Sequence, residues 1–231
     1  YRRTRSAHSL NDQSTVMESM PTSQLSGPAG VLEALFEQPS GVPRAAVVFA
    51  HPHPMHGGTM HTKVAYRAAK TFLELGCAVL SFNFRGVGDS DGKWDKGRGE
   101  QDDFVAALDA ASAASPGLAL WSGGFSFGAW VALTVGTRDP RVARLLAIAP
   151  PVGRYDCSNV AMSPKPIHFI HGEQDELVPL EAVLSFYQRV IPPKTLTIIE
   201  GANHLFDQQV SEVGDDIRTA FLIRAPEEGQ A

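Results

Sequence analysis

Five residues, Gly124-Phe125-Ser126-Phe127-Gly128, place a serine between two glycines at a spacing that suits nucleophilic chemistry. They follow an apolar run and precede an alanine-rich, helix-favouring segment. A serine on a sharp strand-to-helix turn is lifted above the sheet edge, where its hydroxyl can attack a carbonyl carbon. Side chains two residues before or after it would collide with neighbouring chain, so Gly124 and Gly128 leave the room. The first N–H groups of the following helix have no partner within the helix and point at whatever binds there. The plainer reading is a glycine-rich turn that happens to hold a serine, and only the surroundings decide between the two.

A serine hydroxyl is a poor nucleophile near neutral pH. It needs a base, and the base needs a group that fixes its tautomer and steadies its charge. His204, in Gly201-Ala202-Asn203-His204, follows the last apolar β-like run, and Asp175, in His171-Gly172-Glu173-Gln174-Asp175, follows the run before it. Alone, His204 reads as a surface-loop histidine and Asp175 as a turn or capping acid ahead of Pro179. Arriving in the order Ser126, Asp175, His204 at successive strand ends, they read as a triad. Glu173 and Glu176 are rivals for the acid, with longer side chains that fit the short geometry less naturally. A developing oxyanion also needs donors. The N–H of Phe127 is one; the other is expected from the loop after Ala45–Ala50, where Pro52 and Pro54 have none to give. That leaves His53, with Met55 behind it.

Two other patterns invite chemistry. His51, His53, His56 and His61 crowd one loop, but no Cys or carboxylate lies among them and the prolines keep the segment from being helical. No metal site is expected; His51 is read as packing beneath the oxyanion turn, the others as holding the loop. Arg85-Gly86-Val87-Gly88-Asp89-Ser90 lacks the spacing of a phosphate-binding loop and reads as a structural turn beside the pocket. No cofactor is called for.

These residues need a scaffold that delivers them to one edge. From residue 31 short β-like runs alternate with helical patterns: Val31–Gln38, Ala45–Ala50, Cys77–Phe84, Leu118–Trp121, Leu145–Ala149, Ile167–Ile170 and Leu196–Ile199 as strands. Val64, Ala68, Phe72 and Leu75 fall at helical spacing, as do Phe104, Ala107, Leu108 and Ala111. Further helices follow the serine motif over Phe127–Val135, start behind Pro179, and run through Val210, Val213, Ile217 and Phe221. Continuous apolar strands between helices predict an α/β fold with a mostly parallel sheet and helices on both faces. Ligands bind such sheets at the carboxyl ends of the strands, and the loops after residues 50, 84, 124, 149, 171 and 200 meet there.

The chain of 231 residues is 43% hydrophobic and 19% charged, ordinary for a globular protein with a sizeable core. A net charge of −5 gives no electrostatic reason to expect nucleic acid or an anionic membrane as partner. The apolar runs are too short to cross a bilayer. Cys77 and Cys157 show no metal-ligand spacing, and two cysteines make no disulfide framework. Residues 1–30 are polar and without apolar periodicity; they are expected to be a disordered tail or added leader, with Met17 or Met20 nearer a natural start. Lacking a secretory apolar stretch, the chain is expected to be cytoplasmic. Residues 31–225 then form a single domain, and 226–231 a C-terminal tail.

Taken together, the His-Pro-His-Pro-x-x-Gly-Gly-Thr-Met loop at 51–60, Phe-Asn-Phe-Arg-Gly-Val-Gly at 82–88, Gly-x-Ser-x-Gly at 124–128, His-Gly-Glu-x-Asp at 171–175 and Gly-Ala-Asn-His at 201–204 resemble the α/β-hydrolase superfamily, and within it small bacterial serine hydrolases. The resemblance implies Ser126 as nucleophile, His204 as base, Asp175 as its partner, and His53 and Phe127 as oxyanion donors. Many relatives insert a lid after the strand corresponding to 145–149; here only Val152–Pro164 intervenes, so an open, shallow site for small esters is expected. The fold hosts many chemistries, so a peptidase on the same triad and a non-catalytic binding protein stand as alternatives. A small-molecule ester is the expected partner.

Overall fold

The computed structural model describes residues 23–222. It holds an eight-stranded sheet in the order β1-β2-β4-β3-β5-β6-β7-β8. The strands are β1 (Ser23–Gly27), β2 (Gly30–Glu37), β3 (Ala46–Ala50), β4 (Ala78–Phe82), β5 (Leu120–Phe125), β6 (Val142–Ile148), β7 (Ile167–Gly172) and β8 (Lys194–Ile199). β2 is antiparallel to both β1 and β4, and every other pairing is parallel. The six helices among the described residues are α1 (Lys63–Glu74), α2 (Arg98–Ala114), α3 (Phe127–Arg138), α4 (Ser158–Ala161), α5 (Leu180–Arg189) and α6 (Val210–Phe221).

The expected tail over 1–30 is corrected at its end. Residues 23–27 are a strand, joined to β2 by the two-residue turn Pro28-Ala29 with Gly30 at φ 123°. Ser-Gln-Leu-Ser-Gly has one apolar residue, so it carries no periodicity to read. Its order comes from backbone pairing and from Leu25, which is buried in the same core as Leu32 of β2. Residues 1–22 and 223–231, with the expected C-terminal tail, lie outside the described residues.

The central strands have both faces covered. All five residues of β3 and of β4 and all six of β5 and of β7 are buried, which is why they read as unbroken apolar runs. On one face α1 and α6 pack together, with the Phe72 and Phe221 ring centroids 5.1 Å apart. On the other lie α2, α3, α4 and α5. Helix α3 is buried from Phe127 to Gly136, since it is held between the sheet and the neighbouring helices. Each large apolar side chain so buried, such as Phe104 or Leu108, stabilises the fold by roughly 1.5–3 kcal/mol.

Two polar anchors shape the segment between β4 and α2. Arg85 grips Asp103 of α2 with two guanidinium N–H groups, at 2.9 and 2.7 Å, and with its backbone N–H at 3.0 Å. Asp103 is fully buried, so the pair fixes where the segment leaves the sheet. Glu100 accepts from the N–H groups of Asp95 and Gly97 at 2.9 and 2.7 Å. Between these anchors Trp94 is delivered to the site described next.

Candidate active site

Strand β5 runs straight into the serine. Ser126 has φ 53° and ψ −120°, a conformation that costs about 1–3 kcal/mol and persists only when its surroundings impose it. They do so with backbone: the Ser126 N–H donates to Ile148 O of β6 at 2.8 Å, and Ser126 O accepts from Ala129 N at 2.9 Å. The glycines are needed for close approach. A Cβ on Gly124 would stand 2.3 Å from the Gly128 carbonyl, and one on Gly128 would stand 2.4 Å from His51 O and 2.5 Å from Ala50 O. The elbow is thus wedged against the end of β3.

Strands β7 and β8 bring the other two groups. Ser126 Oγ lies 3.0 Å from His204 Nε2, and His204 Nδ1 lies 2.7 Å from Asp175 Oδ2. The other oxygen of Asp175 accepts from the N–H groups of Leu177 and Val178 at 2.9 and 2.8 Å. Burial pushes the Asp175 carboxyl up. The hydrogen bond from His204 and the Val178 N–H, with the positive ends of the His204 and His171 rings, outweigh it and hold the pKa below the ordinary carboxylate value. An ionised carboxylate only accepts, so the proton in that bond sits on His204 Nδ1, leaving Nε2 to accept from the serine hydroxyl. The rivals go elsewhere: Glu173 accepts from Gly201 N at 2.9 Å, and Glu176 from the His204 backbone N–H at 3.1 Å. Both glutamates serve the loop that carries His204. His171 ends the run His-Phe-Ile-His of β7. It is fully buried 3.7 Å from Asp175 Oδ2, donates from Nε2 to Val178 O at 2.9 Å, and is kept neutral chiefly by burial.

The loop after β3 is rigid for identifiable reasons. His51 is fully buried; its Nδ1 donates to Pro52 O at 2.7 Å and its Nε2 accepts from Phe84 N at 3.0 Å. Both ring nitrogens are therefore engaged with backbone. Burial drives its pKa down to about 4, against a smaller upward pull from the Pro52 carbonyl. His53 O accepts from Gly58 N at 3.1 Å and closes a tight loop, with a one-turn 3₁₀ helix over Pro54–His56. Met55 donates its N–H to His53 Nδ1 at 3.1 Å, so that N–H is engaged. The N–H groups of His53 and Phe127 have no protein acceptor among the described residues. Met60 N donates at 2.8 Å to buried Asn83, which in turn donates to Glu33 at 2.7 Å, tying the loop to β2. The Arg85–Ser90 turn is part of that frame, with Asp89 N on Glu33 at 2.9 Å.

Around Ser126 lies a cleft of about 200 Å³, lined by His53, His56, Phe127, Pro151, Arg154, Tyr155, Leu177, Val178 and His204. Phe127 packs against Trp94, Trp130 and Tyr155, and Tyr155 stacks on Trp130 at 4.4 Å. Sequence reasoning missed Trp94, Arg154 and Tyr155. An isolated tryptophan in the polar stretch 91–97 was the one available signal; nothing marked the other two. The connection between β6 and β7 holds only the four-residue α4, whose Val160 is buried in the core, and no helix roofs the serine among the described residues. A larger cavity of about 450 Å³ lies at the opposite ends of β6, β7 and β8. There His168 bridges Thr195 at 2.6 Å and Asp216 at 2.5 Å, a closed set tying β7 and β8 to α6 and remote from Ser126.

Residues 41–157 match the family described as serine aminopeptidase, S33. An uncharacterized protein of Rickettsia prowazekii is 37% identical over 215 residues, covering 88% of this chain and 89% of that one. The chain belongs to the α/β-hydrolase superfamily. Among solved structures, an α/β serine hydrolase homologue from Coxiella burnetii is 35% identical with a TM-score of 0.84, covering 87% of this chain and 97% of its own. A serine hydrolase without a lid from Xanthomonas campestris is 34% identical with a TM-score of 0.82, covering 89% and 96%. This α/β-hydrolase is thus one of the small lidless members, as its short β6–β7 connection indicates. No described helix is long and apolar enough to cross a membrane.

Proposed function

We propose that this hydrolase cleaves small carboxylic esters or thioesters through an acyl-enzyme, with Ser126 as nucleophile, His204 as general base and Asp175 as its orienting acid. The observation that carries the reading is the continuous bridge from Ser126 Oγ through His204 to Asp175, at 3.0 and 2.7 Å. In the first half-reaction Ser126 Oγ bonds to the carbonyl carbon while its proton passes to His204 Nε2. The tetrahedral oxyanion takes hydrogen bonds from the N–H groups of Phe127 and His53. The C–O or C–S bond then breaks, and His204 returns the proton to the departing alkoxide or thiolate. In the second half water attacks the acyl-enzyme with His204 as base, releasing the acid and restoring the serine.

A second reading, an aminopeptidase on the same triad, is favoured by the description of the matched family. Such an enzyme must hold a substrate ammonium group, which calls for a carboxylate. No Asp or Glu is among the residues lining the cleft, whereas Arg154 and three histidines are. That charge balance supports esters over peptides with a free amino terminus. A panel of p-nitrophenyl esters, acyl thioesters and aminoacyl p-nitroanilides, run with wild type and Ser126→Ala, tests both readings. Ester turnover should fall by ~10⁴-fold or more in the variant. Equal turnover by the two proteins, or no labelling of Ser126 by a fluorophosphonate, would refute the serine mechanism.

A further inference from the structure

The cleft carries a charge that the ester chemistry does not use. Arg154 lines it alongside Ser126 and His204, and its Nη2 donates to Leu177 O across the cleft at 2.9 Å. That contact fixes the guanidinium over the opening but supplies no negative charge. Among the described residues Arg154 makes no ion pair with any carboxylate, unlike Arg85, Arg98, Arg141 and Arg218. The acids of the flanking segments are committed elsewhere. Asp156 accepts from Ser158 N at 2.9 Å, Glu176 from His204 N at 3.1 Å, and Asp175 faces His204 and the backbone of 177–178. The remaining polar lining is His53, His56, His204 and Tyr155, with no acid among them. This cationic cleft belongs to a protein of net charge −5, so it is a local feature.

We infer that Arg154 is a specificity residue that selects esters bearing an anionic group, a carboxylate a few bonds beyond the scissile carbonyl. The inference rests on the serine-hydrolase reading of the same cleft. The physical reason is geometric. A guanidinium presents five donors in a rigid fork, and one contact to Leu177 O leaves the others free to grip a carboxylate. In a cleft of about 200 Å³ any ester seated on Ser126 comes within reach of the lining. Arg154 is exposed, so water screens the interaction and its contribution is modest and salt-dependent. Phe127 and Tyr155 line the same cleft with Trp130 packed behind them, so the stretch between carbonyl and carboxylate has apolar surface to lie against.

The test compares monomethyl glutarate with methyl valerate, which differ by a carboxylate in place of a methyl group, by base titration of released acid at low ionic strength. The quantity read is the ratio of their kcat/KM values. Wild type should favour the anionic ester, and Arg154→Gln should lower the ratio about fivefold, the loss of one exposed charge contact. Arg154→Lys should recover part of it, and added sodium chloride should erode the wild-type ratio but not that of Arg154→Gln. A ratio unchanged between wild type and Arg154→Gln overturns the inference. So does turnover of neither ester by a protein whose Ser126 still labels with fluorophosphonate, an outcome that leaves the serine chemistry standing. No turnover and no labelling overturns both.

Discussion

Acidification from pH 7 to 5 should cost the fold about 2 kcal/mol through His51 alone. The imidazole is fully buried beneath the loop after β3, donating to Pro52 O and accepting from Phe84 N. A second ring proton would point an N–H at the Phe84 N–H and leave a charge without solvent. Burial, the larger cause, and the nearby charge of His53 therefore outweigh the Pro52 carbonyl and hold the pKa down to about 4. The unfolded chain takes up that proton near pH 6.5. Because the folded value is the lower one, this stabilisation is fully present above the unfolded pKa. It is lost as pH falls toward the folded pKa, reaching about 2 kcal/mol by pH 5 and about 3 by pH 4. His53 and His171 are also shifted down and act with the same sign, so the raw slope mixes contributions. The His51→Gln variant isolates one of them. Its amide oxygen can still accept from Phe84 N, and it does not titrate. Urea unfolding of both proteins at pH 7, 6 and 5 gives the stability gap between them. That gap should shrink by about 2 kcal/mol from pH 7 to 5. A gap that stays constant would refute the buried neutral histidine.

Asp175→Asn should lower ester kcat by about 10³–10⁴-fold while leaving the melting temperature within a few degrees, because an amide can donate to His204 and favour the wrong tautomer. Saturation kinetics and differential scanning fluorimetry check the two halves; unchanged kcat would remove Asp175 from its role. Gly128→Ala should destabilise the protein by more than about 2 kcal/mol, since the new Cβ would sit 2.4–2.5 Å from the carbonyls of His51 and Ala50. A thermal melt equal to wild type would mean the elbow has slack that its contacts do not suggest.

The candidate site is legible in the sequence because each of its parts is punctuated. Ser126 and Asp175 stand just after the fully buried β5 and β7, His204 follows the edge strand β8, and the structure joins the three at hydrogen-bond distance. Side-chain length favours Asp175 over Glu173 and Glu176, and in the structure the two glutamates accept from backbone N–H groups. The prolines favour His53 over Met55 as second donor, and the Met55 N–H is engaged by His53 Nδ1. What stayed hidden lacks periodicity. β1 is an edge strand with one buried apolar residue, and α4 is a single turn. Arg154 and Tyr155 sit in an irregular connection, and their importance comes only from what the fold sets beside them: Leu177, Phe127 and Trp130. Long-range neighbours of that kind leave no local mark.

The short β6–β7 connection also divides the molecule's labour. Ser126, His204 and Asp175 hang from the ends of β5, β8 and β7, and the Ser126 turn is locked by backbone contacts that tolerate no added methyl at Gly124 or Gly128. Arg154 and Tyr155 hang from a strip of chain between β6 and β7 and line the same cleft as Ser126 and His204. The exposed middle of that strip, around Gly153 and Arg154, is less constrained than the strand ends. Changing the side chains of 153–156 would, on the proposed mechanism, re-aim selectivity while the strand ends kept their geometry, whereas Val152 and Cys157 on either side are held in the core.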